Sequence, residues 1–280
     1  LGYEDLKKIN PKLVMARISG YGQDGPYRDR PGFGIIAESM GGLRYLTAEP
    51  GRVPVRVGVS IGDTLAALHG VIGILMALYH RDARGGVGQV IDIALYESVF
   101  NCMESLLPEY SAFGVVREAA GSALPGIVPS NAYPCRDGWI LIGGNGDGRD
   151  DYAASPEMAS NDGRVKRVAD IDGAITAWTA TQDKVTALKV LADHDVPSGA
   201  IYSVADIAAD AQYRAREMIL NIETRDGYTV DVPGIVPKLS ATPGRIRSAA
   251  PRLGEDTAAV LERAGLKPET LADLRAKGVI

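Results

Sequence analysis

The 280-residue sequence is poor in the residues that build metal clusters and disulfide frameworks. It contains two cysteines, Cys102 and Cys135, and three histidines that are scattered along the chain. A structural zinc site needs a tetrahedral set of such ligands at short spacings, so no metal site is predicted. Two cysteines without a metal-like spacing are typical of a reduced compartment, and we expect a cytoplasmic protein.

Charge and hydropathy exclude further classes. The net charge of −5 gives no indication of binding to nucleic acid or to an anionic membrane. The longest apolar run, Leu65–Tyr79, is short for a bilayer and ends in a charged segment, so a transmembrane helix is not expected. No G-x-S-x-G motif occurs, which argues against a serine hydrolase of that type.

The first part of the chain has the pattern of a parallel sheet. Residues 12–20 and 89–95 are nearly continuous in apolar character, as buried parallel strands are. Between them lies a long apolar segment that predicts a buried core helix. Strand, helix and strand at this spacing predict a βαβ unit, and residues 97–113 predict a following helix.

The composition changes near residue 124, where proline and glycine become frequent around a short strand. Helices are predicted over residues 168–179, 183–194 and 204–218, followed by two strands around the Asp226–Gly227 turn. Two helices are predicted to close the chain, the second of them opened by Pro268. The sequence therefore predicts an α/β domain and a smaller α+β domain. The predicted divisions are residues 1–113, a linker at 114–134, the smaller domain at 135–235, and a C-terminal segment at 236–280.

Asp63 is the one carboxylate at the head of the long apolar helix. Its side chain could accept backbone N–H bonds and complement the helix dipole, which is the common role of such an acid. It could instead be a reactive carboxylate held at a buried helix start. The residues alone leave both interpretations open.

Two other features have ordinary structural interpretations. His69 lies on the apolar helix and is expected to be a histidine whose hydrogen bonds are satisfied within the fold. The glycines of residues 143–148 follow a strand but lack the spacing of a dinucleotide loop. They predict either a mobile loop over a site or a plain turn.

Four blocks of the sequence together resemble the class III CoA-transferases, the family of formyl-CoA transferase and carnitine CoA-transferase. The second block, which contains Asp63, is the most specific. The blocks are residues 10–43, 57–98, 131–147 and 250–266 with 276–280.

This resemblance implies that Asp63 is the nucleophile of a ping-pong CoA transfer from an acyl-CoA donor to a carboxylic acid. An aspartyl anhydride and an aspartyl-CoA thioester would be the intermediates. The resemblance also implies that Gly143, Gly144 and Gly146 belong to a loop that closes over these intermediates. No tightly bound cofactor is expected, since coenzyme A is a substrate.

The resemblance indicates candidate contacts with coenzyme A less firmly. For the polar members of this set, a solvated surface role is an equally good interpretation. The candidates are Arg17, Gln23, Arg28, Arg30 and Leu95.

The fold implied by the resemblance is a Rossmann-like large domain with a smaller α+β domain, assembled as an interlocked homodimer. The N-terminal part of the large domain is expected to be missing, which leaves the activity of the chain as given open. Many family members carry an acidic residue at the position of Gly34, so a supporting carboxylate is lost there.

Two other functions remain as alternatives. An α-methylacyl-CoA racemase would share the fold, but racemisation needs an acid/base pair across the α-carbon. The racemase branch has a histidine where this chain has Phe33, which cannot move a proton. The second alternative is a truncated, inactive remnant that only binds a partner.

Overall fold

A computed structural model describes residues 2–144 and 158–280. The chain divides into two compact units, Leu1–Ala200 and Ile201–Ile280. The domain boundaries expected at residues 113, 134 and 235 stay a prediction.

The described residues of the first unit form the strands β1 (Met15–Ser19), β2 (Val90–Ala94), β3 (Ser130–Cys135), β4 (Gly138–Gly143) and β5 (Ser198–Ala200). Its described helices are α1 (Tyr3–Ile9), α2 (Gly34–Met40), α3 (Leu43–Leu46), α4 (Ile61–Ala83), α5 (Leu95–Phe100), α6 (Leu106–Phe113), α7 (Asn161–Val165), α8 (Val168–Thr179) and α9 (Lys184–Asp193).

The parallel sheet predicted from the sequence is confirmed. β1 and β2 pair in parallel, from Met15 opposite Val90 to Ser19 opposite Ala94. α4 lies between them in the chain and packs on both strands. Its glycines allow a close approach, because a Cβ on Gly73 would lie 2.9 Å from Cγ2 of Ile91.

The prediction that α4 is buried on most faces is wrong for the part of the chain that the structure describes. Its buried residues are Gly62, Ala66, Gly70 and Ala77. These small residues recur about every four positions, so one narrow face approaches the sheet and the large side chains point elsewhere. The exposed large apolar residues of α4 are Leu68, Val71, Ile72, Leu75, Met76 and Tyr79.

Two further points qualify the sequence reasoning on this region. β1 is exposed over residues 16–18 rather than buried, and among the described residues it pairs along one edge only, with β2. α4 has 23 residues and is long and apolar enough to cross a membrane. One such helix is weak evidence for a membrane span, because the core helices of soluble proteins pass the same test of length and composition.

The single helix predicted over residues 97–113 is wrong. α5 ends at Phe100, and α6 begins at Leu106 after Glu104 adopts a φ of 51°. Pro108 explains the break, because a proline ring inside a continuous helix would clash with the carbonyl four residues earlier. In the first turn of a new helix the same proline is tolerated.

The antiparallel sheet of the first unit has the order β3-β4-β5. Its core contains Tyr133, Ile140, Ile142 and Ala187. β4 alternates between buried and exposed side chains, as expected for a sheet with one covered face. The Tyr133 hydroxyl donates to Oδ1 of Asp172 in α8 at 2.6 Å, so this buried polar group has a partner.

The second unit contains α10 (Val204–Ala209), α11 (Ala211–Ala215), β6 (Ile219–Glu223), β7 (Thr229–Pro233), α12 (Thr257–Arg263) and α13 (Pro268–Ala276). β6 and β7 form the predicted antiparallel pair around Gly227, whose φ of +82° suits glycine. The helix predicted over residues 204–218 is divided at Asp210. Asp210 has extended backbone and caps α11 with its carboxylate, which accepts the N–H of Gln212 and of Tyr213.

Candidate active site

Asp63 lies at the carboxyl end of the parallel strands. α4 runs antiparallel to them, since Gly73 faces Ile91 near the start of β2 and Gly70 faces Ile93 near its end. The head of α4 therefore lies beyond the strand ends. In open parallel sheets ligands bind at this edge.

The Asp63 side chain does not cap α4. Ser60 is the N-cap residue, and no side-chain cap hydrogen bond forms there. Asp63 is exposed, and within residues 2–144 and 158–280 its carboxylate has no hydrogen-bond or ion-pair partner. The positive end of the α4 dipole remains beside it. The carboxylate is thus available to a ligand rather than used by the fold.

Two glycines meet beside Asp63. Gly34, the first residue of α2, and Gly62 of α4 are both buried. A Cβ on Gly62 would lie 3.1 Å from the carbonyl oxygen of Gly34, so the heads of the two helices approach almost backbone to backbone. A Cβ on Gly34 would lie 2.2 Å from Oδ2 of Asp63.

Residues 20–33 form a loop that starts at the end of β1 and returns to α2. The two ends of this loop come together at Gly20 and Gly32: a Cβ on Gly20 would lie 2.9 Å from Cα of Gly32. Near its start, the backbone N–H of Gln23 donates to Oδ2 of Asp92 at 2.9 Å. The sequence-predicted residues Gln23, Arg28 and Arg30 are therefore carried by a loop that ends beside Gly34.

The loop holds an aromatic cluster that the sequence reasoning missed. The rings of Tyr21 and Tyr27 lie 5.8 Å apart, and Tyr21 also contacts Tyr96 at 6.2 Å. The Arg30 guanidinium lies 3.7 Å from the centre of the Tyr27 ring, a cation–π contact. Burial, followed by the hydrogen bond to Glu97, raises the pKa of Tyr96 above its ordinary value. Repeated tyrosines in a loop after a strand were the available signal.

The remaining arginines of the predicted set lie apart from this cluster. Arg28 donates from Nε to Oδ2 of Asp29 at 3.2 Å and is exposed. Arg17 is exposed in the middle of β1, in register with Asp92. Within the described residues, no contact therefore brings either side chain together with Asp63.

Leu95 and the glycine loop have different surroundings. Leu95 is 8% exposed and packs in the hydrophobic core with Ala37, Ala66, Ile93 and Val99. The backbone N–H groups of the first two loop glycines are used by the fold. Gly143 donates to the carbonyl of Pro197 at 2.9 Å, and Gly144 donates to that of Pro129 at 2.6 Å. Gly146 lies outside the described residues.

His69 behaves as the sequence predicted. It is half-buried, with Nδ1 at 2.8 Å from the carbonyl oxygen of Leu65 and Nε2 at 3.2 Å from Oδ1 of Asn101. Both ring nitrogens therefore have partners within the fold.

Two polar arrangements near the site were not anticipated. Arg56 donates from Nη2 to the Ser60 hydroxyl at 3.3 Å, which places a cation close to the head of α4. Glu38 is only 1% exposed and accepts from Nη2 of Arg44 at 3.0 Å. The partners are only four and six residues apart, but each pair spans irregular backbone, so no helical or strand pattern in the sequence marks it.

The chain belongs to CoA-transferase family III, whose profile matches residues 1–257. Succinyl-CoA–D-citramalate CoA-transferase of Chloroflexus aurantiacus is 41% identical, with 100% of this chain and 72% of that protein covered. Succinate–glutarate CoA-transferase of Agrobacterium fabrum is 32% identical, with 93% and 68% covered. The chain is thus an enzyme of the CoA-transferase class, as the sequence resemblance implied.

The three-dimensional structure shows the same family relationship as the sequence. The crystal structure of a CaiB/BaiF family protein from Brucella suis superposes with a TM-score of 0.79 at 34% identity, over 95% of this chain and 71% of that one. The mixed α/β fold, with a parallel strand pair and further antiparallel sheets, is therefore that of the family.

Proposed function

We propose that the protein transfers coenzyme A from a dicarboxylic acyl-CoA to a second carboxylic acid, with Asp63 as the nucleophile. One observation carries this proposal. The Asp63 carboxylate is exposed at the carboxyl end of the parallel strands and has no partner in the described part of the chain, within a member of a CoA-transferase family.

The reaction proceeds by four displacements at carbonyl carbon. A carboxylate oxygen of Asp63 attacks the donor thioester, giving a mixed anhydride and CoA thiolate. The thiolate attacks the aspartyl carbonyl, giving an aspartyl-CoA thioester and the free donor acid. The acceptor carboxylate then attacks this thioester, giving a second anhydride and CoA thiolate. The thiolate finally attacks the acceptor carbonyl, which releases the new acyl-CoA and restores Asp63.

The covalent route divides one difficult exchange into easier steps. Asp63 needs no general base, because the attacking group is a carboxylate oxygen and no proton has to be removed from it during the attack. Each tetrahedral intermediate needs donors for its oxyanion. The N–H groups in the first turn of α4, at the positive end of its dipole, are suited to supply some of them.

The names of the relatives support the choice of substrate class. The relatives from Chloroflexus and Agrobacterium are named for succinyl-CoA or succinate. A dicarboxylic acyl group has a second, non-reacting carboxylate that requires a cation. Arg56, beside the head of α4, and the loop arginines Arg28 and Arg30 are the cations we assign to this carboxylate or to the CoA phosphates.

Gln23, Arg17 and Leu95 remain candidates for coenzyme A contacts. Gln23 is the best supported of them, because it lies in the loop whose end reaches Gly34. The burial of Leu95 in the core makes it a support beneath the site rather than an open surface.

The test is chemical trapping of the intermediate. The protein is incubated with succinyl-CoA, quenched with hydroxylamine, digested and analysed by mass spectrometry. Both aspartyl intermediates would become a hydroxamate at Asp63. The matched control is Asp82, an exposed carboxylate on the same helix, which should remain unmodified. Equal labelling of both aspartates, or none at Asp63 in an enzyme that turns over, would reject the assignment.

We also propose that the protein is an interlocked homodimer. The support is the family membership together with the proline- and glycine-rich segment around residues 124–134, which suits a connection that wraps a partner. Interlocked chains bury an interface well above the usual size, so they should not dissociate at micromolar concentration. Sedimentation as a monomer under those conditions would contradict this proposal.

A further inference from the structure

We infer that Gly34 is a positioning residue for Asp63: the missing side chain at the head of α2 fixes where the nucleophilic carboxylate lies. This inference rests on the proposed role of Asp63. It concerns how the fold aims that carboxylate, which neither the family membership nor the relatives' names specify.

The carboxylate occupies the space that any other residue at position 34 would need. A Cβ built on Gly34 would lie 2.2 Å from Oδ2, 2.8 Å from Cγ and 3.1 Å from Oδ1 of Asp63. Distances this short are far inside van der Waals contact. The whole carboxylate, and not only one oxygen, therefore rests against the backbone of Gly34.

The surrounding backbone cannot move aside easily. Gly34 and Gly62 are buried, and a Cβ on Gly62 would meet the Gly34 carbonyl oxygen at 3.1 Å and Cγ2 of Val99 at 3.5 Å. Val99 itself is fully buried in the core of this region. The two helix starts are thus packed against a rigid support, and close-packed interiors resist such shifts.

Asp63 is the part that can yield. Its side chain is exposed and has no hydrogen-bond partner in residues 2–144 and 158–280, so rotation to another rotamer breaks no bond to the described chain. A side chain at position 34 would therefore displace the carboxylate at little expense of stability. The loss would fall on the chemistry instead.

The size of that loss follows from the geometry of attack. Reacting atoms must be held close and in line, and a misplacement of about 1 Å can reduce the rate about 100-fold. In this chain the carboxylate of Asp63 occupies the space that a side chain at position 34 would take.

The experiment compares Gly34→Ala with Gly173→Ala. Gly173 lies in α8, is helical like Gly34, and has open space where its Cβ would be placed. Neither glycine has a positive φ, so both substitutions are free of backbone strain. We measure the melting temperature, the steady-state kcat and KM with succinyl-CoA, and the single-turnover rate of aspartyl labelling, and we determine the crystal structure of each variant.

We expect Gly34→Ala to melt within about 2 °C of the wild type while kcat and the labelling rate fall about 100-fold. KM should change little, and the crystal structure should show Asp63 in another rotamer. Gly173→Ala should leave kcat, KM, the labelling rate and the position of Asp63 unchanged, and it should keep or slightly raise the melting temperature, because alanine favours the helix more than glycine does. A Gly34→Ala enzyme that labels Asp63 at the wild-type rate, or one whose Asp63 keeps its place, would overturn the inference.

Two further outcomes are distinguishable. If the wild type turns over without labelling Asp63, the proposed function fails, while the rotamer in the Gly34→Ala crystal still decides the steric relation on its own. If Gly34→Ala does not fold, the double variant Gly34→Ala/Asp63→Ala is examined, because it removes the three atoms that clash. Recovery of folding in the double variant supports the inference, and continued failure to fold overturns it.

Discussion

The two sheets of the first unit differ in how much of their surface is covered by helices. The antiparallel sheet has Ile140 fully buried and Ile142 nearly so, under a cover that includes α8 and α9. The parallel pair has Ile93 buried against α4, but Ile18 beside it in register is 55% exposed. The antiparallel sheet thus has a closed core, whereas the parallel pair is left partly exposed, with the Asp63 carboxylate accessible at its carboxyl end.

This difference in covering means that the antiparallel sheet contributes mainly to stability, while the head of α4 holds the candidate reactive group. Polar groups of the antiparallel region are used within the fold, as Tyr133 is by Asp172. At the head of α4, Asp63 is left available beside two glycines. Substitutions in the first region should therefore change the free energy of unfolding, and those at the head of α4 should change turnover.

The largest effect is expected for Asp63→Asn. The amide keeps the size of the side chain but cannot form an anhydride, so transfer should fall by at least about 10⁴-fold. The melting temperature should stay close to that of the wild type, since Asp63 makes no contact that the described fold depends on. Steady-state transfer from succinyl-CoA is measured, with Asp82→Asn as the control on the same helix. Turnover within a few-fold of wild type would refute the assignment of Asp63 as the nucleophile.

Ile140→Ala tests the closed core. Ile140 is fully buried in the cluster that contains Tyr133 and Ala187. Truncating it leaves a cavity that close-packed neighbours fill only in part. We expect the free energy of unfolding to fall by about 3 kcal/mol. The specific activity of the folded fraction should be unchanged. Urea unfolding together with active-site titration checks both, and a selective loss of turnover would remove the contrast between the two regions.

His69→Gln should have a smaller effect, on stability alone. The glutamine loses at least one of the contacts to Leu65 and Asn101, and we expect a loss of about 1 kcal/mol for this half-buried group. Turnover of the folded enzyme should stay within about tenfold of wild type. Undetectable turnover in a folded His69→Gln protein would reopen acid/base chemistry, and with it the racemase alternative.

The smallest effect concerns pH and Asp183. Hydrogen bonding from Thr186, and then the Arg136 guanidinium, hold the pKa of Asp183 below its ordinary value of 3.8. The pKa of Asp183 is lower in the folded state than in the unfolded state. The ionised carboxylate therefore stabilises the fold fully above the unfolded pKa, and this stabilisation is lost as the pH falls through the lowered pKa of the folded state. Asp183→Asn should have a lower urea midpoint than wild type at about pH 7, and the difference should vanish in acid. If the difference in urea midpoint between the two proteins grows in acid instead, the pKa of Asp183 is not lowered by folding and the prediction is wrong.

Sequence reasoning recovered most elements of the fold because their signals are local. The parallel pair, the helices α8 and α9, the Asp226–Gly227 turn and the start of α13 at Pro268 were all predicted. Errors arose where a local signal competed with a longer pattern. Pro108 divides a segment that is apolar enough for one helix, and Asp210 divides another by capping.

The candidate site was only partly predictable for a different reason. Asp63 could be singled out, because a carboxylate heading an apolar helix is conspicuous in the sequence and because the surrounding block resembles a family. The repeated tyrosines around Tyr27 are visible in the sequence, but their packing and the Arg56–Ser60 contact are formed in irregular backbone that no periodic pattern describes.

The amino-acid sequence by itself determined the helix that carries Asp63, the small residues that bring this helix onto the sheet, and the family to which the chain belongs. Periodicity and residue size decide these features over a few turns of chain. Only the tertiary structure decided that α4 buries its small face and exposes its large one, and that Gly34 lies against the carboxylate of Asp63. Such contacts depend on the approach of two backbones far apart in the chain, which local propensity does not encode.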